Sequence, residues 1–159
     1  MNVHEKGRIV DIVSDDEGAF SPEGSGRVPC RLLIELCYSG KYDKKAMLKK
    51  LRGNGGLKAY LRTTDARKVE RMIEAGNEKA RLVYEALAYQ VAKNIGELAT
   101  VVAGKVDAII LTGGLAHSKM LTSWIIKRVE FIAPVEIVAG ENEMESLAYG
   151  ILRVLRREE

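Results

Sequence analysis

Hydrophobic residues recur at helical spacing through the middle of the chain. From Asn77 to about Ala103 they fall three or four positions apart, which predicts one long helix, largely buried along a single stripe. The positions of this stripe are Leu82, Val83, Ala86, Leu87, Val91, Ile95, Leu98 and Val102.

Shorter helices are predicted ahead of the long one. The first covers residues 31–38 and is stopped by Gly40. Asp43 is expected to cap a second helix that runs to residue 51 and ends in the glycines at 53, 55 and 56. A third is expected to start at Thr63 or Thr64 and to stop at Gly76.

The two ends of the chain carry the predicted strands. Residues 6–13 hold a β-branched run and predict a strand, whose unpaired backbone groups require partners from elsewhere. Residues 14–29 are rich in Gly, Ser, Pro and Asp and predict a loop, long enough to suggest a function. An apolar strand over 106–112, a helix over 118–128, a strand over 135–138 and a helix over 143–156 follow. This alternation favours an α/β fold with a parallel or mixed sheet.

Composition narrows the class of protein. The 159 residues are 47% hydrophobic and 30% charged, which suits one globular domain. A net charge of +3 is too mild to suggest a nucleic-acid partner. No apolar run approaches the roughly 18 residues of a membrane span, and no leader opens the chain, so we expect a cytoplasmic protein with no membrane partner.

The cysteines and the densest basic run favour structural interpretations. Cys30 and Cys37 lack zinc-site spacing and are expected to be buried as small hydrophobic residues. The basic residues between positions 44 and 52 are expected to form a solvated helix face, with Met47, Leu48 and Leu51 inward, rather than an anion site.

Two segments have the chemistry of a nucleotide site. Gly113 and Gly114 follow a strand and precede a helix, where a ligand can approach the backbone closely, although such a pair also makes a plain tight connection. Asp65 and Arg67 stand at a helix start, where the carboxylate either favours the helix dipole in the first turn or accepts ribose hydroxyls. The guanidinium of Arg67 can stack on a base or hold phosphate.

Two further segments leave the same kind of choice. Residues 141–145 place carboxylates at the start of the last helix, where they favour the helix dipole or hold magnesium. Residues 18–27 form either a surface loop or a functional one, with Arg27 as its single cation. His117 is expected to cap or to pack beside the glycine turn.

Taken together, these segments resemble the butyrate kinases of the acetate kinase family. The matching segments run in family order: KGRIVD at 6–11, FSPE at 20–23, LCYSGKY at 36–42, GGL at 55–57, AYL at 59–61, DAR at 65–67, MIEAG at 72–76, LVYEA at 82–86, KVDA at 105–108, LTGGLA at 111–116, FIAPV at 131–135 and EME at 143–145. The resemblance implies an actin-like, ribonuclease-H-like α/β fold, with residues 1–159 as a single domain equivalent to the C-terminal lobe. It also implies phosphoryl transfer from ATP to butyrate with magnesium, in a protein that associates with copies of itself.

The resemblance assigns roles to the candidate residues. Asp65 and Arg67 are implied as ribose and adenine contacts, and Gly113, Gly114 and Leu115 as the adenosine-binding turn. Glu143 is implied as the carboxylate associated with magnesium. The family's His-Leu-Gly-Gly-Gly phosphate loop is absent from this sequence, so we expect the chain to be inactive alone.

One departure from the family pattern affects the transferred phosphoryl group. The family carries an arginine directly after Ser-Pro-Glu, but here that position is Gly24 and the nearest arginine is Arg27. Either Arg27 substitutes as the catalytic arginine, or the chain is a nucleotide-binding or oligomerising domain without turnover. A kinase for another acid, such as acetate or isobutyrate, is a further alternative.

Overall fold

The computed structural model describes residues 1–140 and 143–157. Its strands are β1 (Asn2–Glu5), β2 (Arg8–Ile12), β3 (Ile109–Gly113) and β4 (Val135–Ala139). Its helices are α1 (Cys30–Cys37), α2 (Lys44–Leu51), α3 (Gly56–Leu61), α4 (Ala66–Glu74), α5 (Glu78–Ala99), α6 (Lys119–Val129) and α7 (Glu143–Leu155). Short 3₁₀ turns cover Thr100–Val102 and Gly114–His117.

The N-terminal strand finds its partner in the residues just before it. β1 and β2 form an antiparallel hairpin that pairs Asn2 with Ile12 and Glu5 with Arg8. Lys6 and Gly7, at φ 50° and 77°, make the turn, so the predicted strand is confirmed over Arg8–Ile12 but begins two residues later than expected. A short turn between adjacent segments satisfies their backbone groups locally.

Asp43 and Asn77 cap the helices that the sequence predicts to begin at them. Asp43 accepts a hydrogen bond from the Ala46 N–H at 2.7 Å, and Asn77 accepts one from the Ala80 N–H at 2.9 Å. At α4 the cap is Asp65, which accepts from the Arg67 N–H at 3.0 Å, so the expected threonine cap is wrong.

Helix α3 is absent from the sequence-based prediction, because its glycines were expected only to end α2. The backbone of the preceding loop starts it instead. The carbonyl of Ser21 accepts from the Leu57 N–H at 3.1 Å, and that of Pro22 accepts from the Lys58 N–H at 3.0 Å. These bonds satisfy first-turn N–H groups that no side chain caps.

The core surrounds α5, which packs against α4 and α6. The buried residues of α5 are Ala80, Val83, Tyr84, Leu87, Ala88, Ala92, Asn94 and Leu98. The predicted buried stripe is therefore confirmed at Val83, Leu87 and Leu98. Leu82 is 69% exposed, however, so the buried face is rotated toward Tyr84 and Ala88.

Strands β3 and β4 pair in parallel, with Ile109 opposite Val135 and Gly113 opposite Ala139. Helix α6 lies between them along the chain, which confirms the predicted α/β fold with a parallel or mixed sheet. The carboxyl ends of both strands meet at Gly113 and Ala139.

Three burial predictions are corrected. Cys30 and Cys37 are both exposed, as part of a helix that has no buried residue. On α2, Met47 is buried as expected, but Leu48 is 55% exposed. Burial depends on what packs over a helix face, which residue type alone does not decide. No helix among the described residues is long and apolar enough to cross a membrane.

Candidate functional site

The glycine turn stands at the carboxyl end of β3. Gly113 has φ +86°, a region that favours glycine, and it exchanges backbone hydrogen bonds of 3.1 and 3.2 Å with Gly140. Gly114 is exposed and opens the 3₁₀ turn that follows, in which Leu115 is half-buried. His117 ends this turn, near Gly140. Ligands of open α/β sheets sit at this end of the strands.

Asp65 and Arg67 form a tight pair at the start of α4. The Arg67 Nε donates to Asp65 Oδ1 and its Nη2 donates to Asp65 Oδ2, both at 2.9 Å. This hydrogen bonding lowers the pKa of Asp65 to about 2 and raises the pKa of Arg67. The Arg67 side chain is 85% exposed, so its guanidinium plane is open to a stacked base while the carboxylate holds it in place.

A part-buried hydrogen bond links the elements that carry these two segments. Ser118, directly after the Gly114–His117 turn, donates its hydroxyl proton to Glu70 on α4. Neither residue belongs to a motif that indicates function in the sequence. The only signal is the place of Ser118 at the start of a predicted helix, where it does cap α6 by accepting from the Leu121 N–H at 2.9 Å.

Arg27 lies on the long loop and is held by two partners. Its Nε donates to the carbonyl of Glu17 at 2.8 Å, and its Nη2 contacts both carboxylate oxygens of Glu97 at 2.9 and 3.0 Å. The Arg27 hydrogen bond is the main cause of a lowered pKa at Glu97. The guanidinium thus fastens the loop to α5.

Gly24 is enclosed in the same loop. It is buried, and its N–H donates to Ser21 Oγ at 2.8 Å. A Cβ added at Gly24 would lie 2.8 Å from that oxygen, so an arginine here requires the serine hydroxyl to turn away.

The remaining candidate, Glu143, is the first residue of α7, and its side chain lies outside the described part of the chain. Across the described side chains, no three of His, Cys, Asp or Glu gather as metal ligands.

Comparisons with known proteins give one family match and several similar folds. Residues 25–147 match the Acetokinase family. The fold is similar to that of acetate kinase from Porphyromonas gingivalis, with a TM-score of 0.76 at 20% identity over 86% of this chain and 42% of that one. Acetate kinase from Entamoeba histolytica gives 0.77 at 17% identity, over 91% and 46% of the two chains. A propionate kinase from Francisella tularensis subsp. tularensis SCHU S4 gives 0.70 at 18%, over 79% and 38%.

The chain thus spans less than half the length of these structures. The likeness confirms the predicted actin-like α/β fold. All seven candidate residues, from Arg27 to Glu143, fall inside the matched range. Because that match covers well over half of its residues, the chain belongs to the Acetokinase family.

Proposed function

We propose that this chain is the nucleotide-binding side of a kinase that transfers a phosphoryl group from ATP to butyrate. The observation that carries the proposal is its membership of the Acetokinase family over residues 25–147. Within this proposal the chain is a single domain equivalent to the C-terminal lobe, and the acid-binding side belongs to the other lobe. Butyrate, rather than acetate or propionate, rests on the sequence resemblance described above.

Two candidate nucleotide segments support this role. The Gly113–Leu115 turn lies at a strand's carboxyl end and would approach adenosine through its backbone. The Asp65 carboxylate, ionised at neutral pH, would accept ribose hydroxyls, and the Arg67 plane would stack on the base. The Glu70–Ser118 bond holds the elements that carry these two segments against each other.

The chemical step needs groups beyond this nucleotide site. Phosphoryl transfer depends on positioning both substrates and on positive charge at the transferred group. Arg27 would supply that charge. To reach the phosphoryl group it must first release its hydrogen bonds to Glu97. The phosphate loop comes from the other lobe, and we propose that the protein works as a homo-oligomer with ATP, magnesium and butyrate.

The test measures binding and turnover separately. ATP titrated into the labelled chain, followed by two-dimensional NMR, should shift the amides of residues 65–67 and 113–115. Butyrate, ATP and Mg²⁺ should give butyryl phosphate, trapped as the hydroxamate, only when the first lobe of a butyrate kinase is added. Parallel assays with acetate and propionate test which carboxylate accepts the phosphoryl group. Absence of ATP binding, or turnover by the chain alone, would contradict the proposal.

A second candidate function is nucleotide binding without turnover. The engaged state of Arg27 and the glycine at position 24 favour it, because no other arginine replaces the family residue within the loop. In that case ATP binds, but the added lobe yields no acyl phosphate.

A further inference from the structure

Three polar side chains meet where α4, α5 and the start of α6 pack together, two of them buried and Glu70 half-buried. Tyr84 is fully buried and Ser118 is 8% exposed. The Tyr84 hydroxyl donates to Ser118 Oγ at 3.1 Å and lies 3.3 Å from Glu70 Oε1, which also accepts the Ser118 proton. Burial raises the pKa of Tyr84 to about 12, so its hydroxyl remains a donor at neutral pH.

Ser118 uses its entire hydrogen-bonding capacity in this cluster. A hydroxyl has one proton and two lone pairs. The proton goes to Glu70, and the lone pairs accept from Tyr84 and from the Leu121 N–H. One oxygen therefore links three helices, whereas an ordinary cap would serve only its own.

The cluster is close along the chain to both candidate nucleotide segments. Glu70 follows Asp65 by five residues on α4, about 7.5 Å along the helix axis. Ser118 follows Gly114 by four residues through the 3₁₀ turn, about 8 Å. Both nucleotide segments are therefore connected to the same cluster by short stretches of regular backbone.

We propose that Glu70, Tyr84 and Ser118 are positioning residues that set the separation between the Asp65–Arg67 pair and the Gly113–Leu115 turn, and so determine adenine-nucleotide affinity. This inference rests on the nucleotide-binding function proposed above. A ligand that bridges two segments binds well only if their spacing matches it before binding, because reordering them costs affinity. The cluster supplies this spacing from inside the molecule, without contacting the nucleotide.

The experiment compares ADP dissociation constants by NMR titration of the intact chain. Tyr84→Phe and Ser118→Ala should each weaken ADP binding by about fivefold, the scale of one hydrogen bond. Ser118→Thr keeps the hydroxyl and the cap and should restore most of the affinity. Titrations are run at a temperature at which melting curves show that every variant is folded. A variant that merely melts at a lower temperature than the wild type then keeps the wild-type dissociation constant.

Thr122→Val is the matched control. Thr122 is as buried as Ser118 and one turn further along α6, but its hydroxyl donates within its own helix, to the Ser118 carbonyl at 2.8 Å. This variant should bind ADP within twofold of the wild type. If the wild type binds ADP and both Tyr84→Phe and Ser118→Ala keep its affinity, the positioning role is wrong. An equal loss of affinity in Thr122→Val would overturn it as well. Neither result would contradict the proposed nucleotide binding. No ADP binding by the wild type would overturn the proposed function and this inference with it.

Discussion

The substitution Gly56→Ala should lower the free energy of unfolding by about 3–4 kcal/mol. Gly56 has φ +52°, and its added Cβ would lie 1.7 Å from the carbonyl oxygen of Ser21. The left-handed backbone costs an alanine about 1–2 kcal/mol. The clash also pushes away the loop whose carbonyls accept from Leu57 and Lys58, and two such bonds contribute about 2 kcal/mol.

The measurement is urea unfolding followed by the fluorescence of Trp124, the single tryptophan, which packs edge-on against Tyr84 in the core. Gly76→Ala is the control, because Gly76 also has positive φ, +83°, but nothing lies within 4 Å of its added Cβ. It should lose only about 1–2 kcal/mol. Equal losses in the two variants would refute the tight docking of the loop on α3.

Three further predictions concern the candidate site. Arg67→Ala should raise the pKa of Asp65 from about 2 toward its ordinary 3.8, as measured by NMR titration of the carboxyl carbon; an unchanged pKa would mean that Arg67 is not the cause. In the wild type the stabilising effect of this pair is complete above 3.8 and is lost as the pH falls through about 2. Gly114→Val should abolish ATP binding but leave the circular dichroism spectrum intact, with Asp65→Ala giving a smaller loss; undiminished ATP affinity in Gly114→Val would exclude the turn as the adenosine site. With an added first lobe, Arg27→Ala should lower turnover by roughly 10³-fold, whereas Gly24→Arg should change it little. If Gly24→Arg instead raises turnover by a similar factor, the family position at Gly24 is the working one and Arg27 is not.

Short-range chemistry was predictable from the sequence. The caps at Asp43 and Asn77 follow from hydrogen bonds between residues three positions apart. The long buried helix and the parallel strands on either side of α6 follow from hydrophobic spacing. The same holds for the glycine turn, because Gly113 sits where a strand ends and a helix begins. The resemblance also led to the family and the fold, since its motifs are local strings of residues.

Contacts between distant residues were decided only by the tertiary structure. Arg27 meets Glu97 across 70 positions, and Glu70 meets Ser118 across 48, so no local pattern connects them. Helix α3 begins because a loop more than 30 residues upstream supplies its acceptors, which glycine-rich sequence alone does not reveal. The sequence by itself thus determined most of the helices, the parallel strands and the glycine turn that follows the first of them. Packing determined how those segments are held at the site, because a buried polar group must find its partner wherever the fold places one.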